Sequence, residues 1–328
     1  MKIAIFSTQP FDRDYLLQAN LAYGYEVVFF ETRLHLGTVS LAKGFDVVSC
    51  FVTDQVGKEV IEKLVDLGVR LLALRSAGFN HVDLNAAHAL GLRVARVPAY
   101  SPYAVAEFAV GLLLALNRKI HLAFNRVREH NFLLTGLLGF DLHGKTVGII
   151  GTGKIGSVFC HIMRGFGVEL IGYDLVENPS CLEDGLHYTT LADLYARADI
   201  ISLHCPLIPP THHLINAAAL ASMKPGVMLI NTGRGGLIDT LALIAALKTG
   251  QIGAVGLDVY EKEEGLFFYD LSTSSIQDDV FTRLQTFPHV LITAHQAFFT
   301  KEALTHIAQT TLANCQALEV GQWQETLI

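Results

Sequence analysis

Three polar positions in this 328-residue chain each follow directly on a short apolar run rich in Val, Ile or Leu. Arg234 stands in Asn231-Thr232-Gly233-Arg234-Gly235-Gly236, just after residues 227–230. The acids Asp258, Glu261 and Glu263 follow residues 254–257, and His295 follows residues 290–293. An arginine fork grips a carboxylate through two parallel hydrogen bonds. A histidine ionises near neutrality and serves as an acid–base. One of the acids can orient it. Taken singly, each has a plainer explanation: a surface arginine in a strand–helix loop, a solvated charged loop, a structurally bonded histidine. Together they supply a carboxylate anchor, a proton-transfer group and an acid to hold it, a set suited to hydride transfer at a carbon bearing both a hydroxyl and a carboxylate.

Hydride transfer needs a carrier, and residues 146–156 read as its binding turn. An apolar strand, Thr146-Val147-Gly148-Ile149-Ile150, runs into Gly151-Thr152-Gly153-Lys154-Ile155-Gly156. In this pattern Gly151 permits the tight turn, Gly153 admits a pyrophosphate and Gly156 lets helix and strand pack closely. The helix beginning near Lys154 aims unpaired N–H groups and a partial positive charge at the phosphates. A second strand ends at Asp174, close to the roughly 20-residue spacing at which a carboxylate meets the ribose hydroxyls. Asp174 would repel a 2′-phosphate, and Leu175-Val176 offer no arginine to receive one. NAD is therefore expected, with NADP use not excluded.

Strand-like and helix-like segments alternate along the chain. Residues 2–6, 26–30, 45–51, 71–74 and 93–96 form a first series of apolar runs, and 146–150, 168–173, 200–204, 227–231, 254–257 and 290–293 a second. Amphipathic stretches lie between them, which predicts parallel sheets covered by helices. In such sheets ligands bind beyond the carboxyl ends of the strands. The two series are joined by a helix starting at Ser101-Pro102, apolar almost all round over 104–116, and read either as a connector contributing to a subunit interface or as a core helix. A final helix over 300–319 has Thr300 as its cap and Gly321 beyond its end.

Half of the residues are hydrophobic and the net charge is −7 without a basic block, which argues against nucleic acid as a partner. The longest strongly apolar stretch, 108–116, is too short to span a bilayer, and the first residues lack the apolar length of a secretory signal. The five cysteines are odd in number and show no C-x-x-C spacing, as expected of reduced residues in a cytoplasmic protein. Among fourteen histidines no metal-binding spacing is evident, and His212-His213 alone gives poor support, so no metal is expected.

Over essentially its whole length the chain resembles the D-specific 2-hydroxyacid dehydrogenases, most closely their fermentative D-lactate branch. The resemblance runs through Leu74-Arg75-Ser76-Ala77-Gly78-Phe79-Asn80, Val97-Pro98-Ala99-Tyr100, the glycine turn and Ser202-Leu203-His204-Cys205-Pro206-Leu207. It continues through Asn231-Thr232-Gly233-Arg234-Gly235 and Gln277-Asp278-Asp279-Val280-Phe281 to His295-Gln296-Ala297-Phe298. It implies two doubly wound, Rossmann-like or flavodoxin-like parallel-sheet domains with an active-site cleft between them. Residues 1–100 would form the first part of a substrate domain, 101–298 the NAD-binding domain, and 299–328 a C-terminal helix returning to the substrate domain.

The family's catalytic arginine, glutamate and histidine fall on Arg234, Glu263 and His295. Arg234 would bind the substrate carboxylate and polarise the keto group, and His295 would protonate the carbonyl oxygen. Glu263 would hold the imidazole and favour its charged form. The resemblance implies that Ala77, Gly78 and Phe79 bind the carboxylate through their amides and that Tyr100 lines the pocket, whose small apolar character Phe298 shares. Cofactor contacts would come from Lys154, Ile155, Asp174, Cys205, Pro206, Thr211, Thr232, Gly233, Arg234 and Asp258, besides the three glycines. The implied reaction is pyruvate reduction by NADH in a homodimer or homotetramer. A relative acting on glyoxylate, hydroxypyruvate or a bulkier 2-keto acid is the alternative. A dinucleotide sensor without turnover would not need Arg234, Glu263 and His295 together.

Overall fold

In the computed structural model, which describes residues 1–323 and 326–328, the apolar runs become two all-parallel sheets. The first comprises Lys2–Ile5 (β1), Glu26–Phe29 (β2), Val47–Cys50 (β3), Leu71–Leu74 (β4) and Arg93–Ala95 (β5), in the order β2-β1-β3-β4-β5. Every residue of β3 and β4 is buried, because helices cover both faces of the sheet and leave no solvent side for alternation. The second comprises Thr146–Ile150 (β6), Glu169–Tyr173 (β7), His187–Tyr188 (β8), Ile200–Leu203 (β9), Val227–Asn231 (β10), Ile252–Leu257 (β11) and Val290–Ile292 (β12). Its order is β12-β11-β10-β9-β6-β7-β8. The chain builds outward from β6 to β8, then crosses back to β9 on the other flank of β6. That reversal opens a crevice beyond the carboxyl ends of β6 and β9, where open α/β sheets hold ligands. β8 has no counterpart among the expected strands. Two residues at a sheet edge carry too little periodicity to be read.

By contacts the chain divides into two units, Met1–Ser101 with Phe299–Ile328, and Pro102–Phe298. In the first, the helix Lys301–Val320 packs on the helix Pro10–Asn20 and on β4, placing Ala308, Leu312, Cys315 and Leu318 against Ile3, Ile5 and Leu71. Thr300 Oγ1 accepts from Ala303 N (3.2 Å), and Gly321 ends the helix at φ +73°. In the second, the helix Pro102–Asn117 lies on β10, β11 and the helix Lys154–Arg164 and buries Ala106, Ala109, Leu113 and Leu116. That makes it a core helix of its unit. Exposed apolar surface lies instead on the next helix, Ile120–Arg128, which buries none of its residues. Among the described residues no helix is long and apolar enough to cross a membrane.

Candidate active site

The glycine turn has the shape its sequence promised. Gly151 sits at φ +93°, in the left-handed region that costs a side-chain-bearing residue about 1 kcal/mol or more. A Cβ on Gly156 would overlap the Gly151 carbonyl oxygen, so only glycine lets the helix start this close to the strand. Gly153 is the N-cap of the helix and no side chain caps it, while a Cβ built there would meet nothing within 4 Å. Open space in front of uncapped helical N–H groups fits a pyrophosphate.

Asp174, at the end of β7, faces that turn. Its Oδ2 accepts from Thr152 N (2.6 Å) and Thr152 Oγ1 (3.2 Å), and its Oδ1 accepts from Leu175 N (2.7 Å). A carboxylate has about four acceptor sites, so Oδ1 keeps capacity for a ribose hydroxyl. Thr152 is itself fixed: Tyr188 Oη donates to its hydroxyl and Asn178 Nδ2 to its carbonyl, both at 2.7 Å. Burial pushes the Tyr188 phenol up, which keeps it a donor. Leu175 and Val176 are 84% and 77% exposed, so no basic side chain follows Asp174 at this edge. Thr152, Asn178 and Tyr188 were not among the expected site residues; their roles arise from pairings across as many as 36 residues.

Beyond β9, Cys205 is half-buried and its thiol is pushed up to about 11 by burial, so it stands as a neutral thiol and not as a nucleophile. Pro206 and Thr211 brace one loop, the Thr211 hydroxyl donating to the Pro206 carbonyl (2.6 Å). His204 lies against Phe159 with its ring nitrogen 2.9 Å from Ser202 Oγ, and burial pushes it down to about 3. It is a neutral packing histidine.

Beyond β10, Asn231 shapes the turn that presents the arginine. Its Oδ1 accepts from Gly233 N (3.0 Å) and its Nδ2 donates to the Arg234 carbonyl (2.9 Å). Arg234 Nη1 donates to the Gly233 carbonyl (2.8 Å), and the rest of the guanidinium has no partner among the described residues. Thr232 Oγ1, on the same turn, is buried without a partner among the described residues. An unsatisfied buried hydroxyl costs about 1–3 kcal/mol unless a ligand completes it. That orphan and the open cradle at Gly153 both fit a bound dinucleotide.

Beyond β12 stands His295, at φ +54°, a conformation held at some cost by a residue with a side chain. Asp258, wholly buried at the end of β11, imposes it. Its carbonyl accepts from His295 N (2.7 Å), and its carboxylate accepts from Thr293 Oγ1 (2.6 Å), Gln296 N (2.9 Å) and Ala297 N (2.8 Å). Asp258, one of the expected cofactor contacts, thus spends its carboxylate on three internal donors and scaffolds the histidine turn. Nδ1 of His295 meets Glu263 Oε1 at 2.8 Å, and Glu263 Oε2 accepts from Tyr260 N (3.1 Å). With Nδ1 engaged, Nε2 is left for chemistry. Glu261 has a different partner, His213 Nε2 at 2.6 Å, so Glu263 alone of the two meets His295.

In the first unit, the loop after β4 is held from its carbonyl side. Arg96 Nη1 donates to the Ala77 carbonyl (2.9 Å), Ser76 Oγ to the Gly78 carbonyl (2.7 Å), and the Arg96 guanidinium lies 5.2 Å from the Phe79 ring. The N–H groups of Ala77, Gly78 and Phe79 donate to nothing among the described residues. Three amides with their carbonyls tied back form an anion nest. Arg75 anchors the loop from beneath, buried, with its guanidinium on the Phe6 carbonyl (2.8 Å), Ser49 Oγ (3.1 Å) and Asp12 (3.5 Å). Tyr100 is half-buried in this unit, and Phe298 half-buried in the other.

Residues 110–297 match the model of the D-isomer specific 2-hydroxyacid dehydrogenase family, NAD binding domain. A 2-hydroxyacid dehydrogenase homolog of Haemophilus influenzae is 52% identical over 328 residues, covering 100% of this chain and 99% of that one. The D-lactate dehydrogenase of Escherichia coli is 52% identical over 322 residues, 98% of each chain. The solved apo-structure of the Escherichia coli enzyme superimposes with a TM-score of 0.92 over 100% of both chains at 48% identity. The chain is a member of the D-isomer-specific 2-hydroxyacid dehydrogenase family, an NAD-dependent oxidoreductase.

Proposed function

We propose that the protein is a D-lactate dehydrogenase that reduces pyruvate with NADH. The observation that carries the reading is the His295–Glu263 contact of 2.8 Å on a rim that also bears Arg234, whose guanidinium edge is largely unengaged. NADH, when bound, supplies the hydride. His295 Nε2 donates the proton to the carbonyl oxygen, and in the reverse direction takes it back. Glu263 orients the ring and neutralises the charge it carries. Arg234 binds the carboxylate bidentately and withdraws electron density from the keto carbon. We also assign the Ala77, Gly78 and Phe79 amides to the substrate carboxylate, and Tyr100 and Phe298 to its methyl group.

For the cofactor, Gly151, Gly153, Lys154, Ile155 and Gly156 hold the pyrophosphate, Asp174 the ribose, and Cys205, Pro206, Thr211, Thr232 and Gly233 the remaining rim. The working assembly is a homodimer or homotetramer. Supporting it, Ile120, Phe124 and Val127 on the uncovered helix and Phe132, Leu133 and Leu134 beyond it are all more than half exposed, an apolar stripe that a second copy would cover. Five unpaired cysteines, four of them buried, suit the cytoplasm.

The test is steady-state NADH oxidation with pyruvate, glyoxylate, hydroxypyruvate and a branched 2-keto acid, with the product's configuration assigned. The highest kcat/KM for pyruvate with D-lactate as product is expected. A preference of tenfold or more for another acid would assign the enzyme to that substrate instead.

A further inference from the structure

The adjacent His212 and His213 converge with Glu261, which lies 48 residues beyond His213 in the sequence. One ligand-capable atom from each lies within 4.8 Å of the other two. The imidazoles of the two histidines stack with centroids 3.9 Å apart, and His213 Nε2 meets Glu261 Oε1 at 2.6 Å. We propose that these three side chains form a binding site for a divalent ion of the zinc class, separate from Arg234, Glu263 and His295. Two imidazoles and one carboxylate are a borderline donor set of the kind that selects zinc, cobalt or nickel over magnesium or calcium.

The surroundings are built as a metal site's would be. Thr240 Oγ1 donates to the second carboxylate oxygen, Glu261 Oε2, at 3.0 Å, fixing which oxygen is presented. His213 is held at φ +50° and its N–H donates to the Gly236 carbonyl (2.8 Å), so its ring is aimed by the backbone. His212 is exposed, which leaves a face for the water that completes four-coordination. A tetrahedral ion with bonds of about 2.1 Å separates its ligand atoms by roughly 3.4 Å. The His213–Glu261 contact would open by under about 1 Å to admit it, and the exposed His212 would swing in. The bound ion would tie the loop after β9 to the loop after β11 that carries Glu263 two residues on.

Cobalt(II) titrated into the full-length protein tests this, followed by visible absorption and calorimetry, with zinc then displacing the cobalt. The result expected is one ion per chain with the intense absorption of a four-coordinate site. Binding should weaken at least tenfold in His213→Gln and in Glu261→Gln. His212→Gln, at an exposed position, should weaken it as well without altering the metal-free melting temperature. Absence of binding to the wild-type chain, or equal affinity in all three variants, would overturn the proposal and leave His213–Glu261 as a hydrogen bond alone.

Discussion

Two histidine–carboxylate pairs draw their acids from one loop, two residues apart, and are nearly the same length. Glu263 meets His295 at 2.8 Å and Glu261 meets His213 at 2.6 Å. What differs is the support behind each ring and the company in front of it. His295 rides a strained turn clamped by four hydrogen bonds to Asp258, and its rim carries Arg234 and the buried orphan hydroxyl of Thr232. His213, also at positive φ, is held by its N–H on the Gly236 carbonyl and by stacking on His212, and its carboxylate partner accepts from Thr240. A hydrogen-bonded histidine and carboxylate are therefore not a catalytic unit by themselves. The function assigned to a pair depends on the ring nitrogen it leaves over and on what that nitrogen can reach.

Removing the carboxylate should separate the pairs most widely. In Glu263→Gln the ring loses its anionic partner, and kcat for pyruvate reduction should fall on the order of 10²–10⁴-fold while NADH binding is retained; equal kcat would make the two pairs equivalent. Asp258→Asn sharpens the contrast through the scaffold. It sets an amide against backbone N–H donors in a buried pocket, at a cost of about 2–4 kcal/mol. Thermal denaturation should show a melting temperature lower by roughly 4–12 °C, with turnover reduced alongside. An unchanged melting temperature would mean that the turn is held by other contacts. Smallest is Glu261→Gln without added metal: a partly exposed pair contributes about 1 kcal/mol or less, and turnover should stay within about threefold of wild type.

The same contrast marks what was legible in the chain. Both sheets were readable because β4 is a continuous apolar run and β3 and β6 nearly so, and the glycine turn because Gly151 and Gly156 answer local steric demands. The candidacy of Arg234 and His295 was visible because each follows such a run. Which acid serves His295 was not. Glu261 and Glu263 have the same chemistry, both point from one irregular loop, and their partners lie 48 and 32 residues away. Their choice came from resemblance, and the geometry now pairs Glu263 with His295. The scaffold role of Asp258 was hidden for a related reason: its burial and its bonds to Thr293, Gln296 and Ala297 exist only once β11 and β12 lie side by side. The network of Asn178 and Tyr188 behind Asp174 was invisible on the same grounds, and so was the exposed apolar stripe after residue 120.

In the proposed mechanism His295 carries the proton in pyruvate reduction and takes no part in holding the dinucleotide. His295→Ala tests it most directly, with NADH binding followed by fluorescence and pyruvate-dependent NADH loss by absorbance in the same preparation. NADH binding within about threefold of wild type, with turnover lowered by at least roughly 10²-fold, is the predicted result. Turnover near the wild-type rate would rule out His295 as the proton donor.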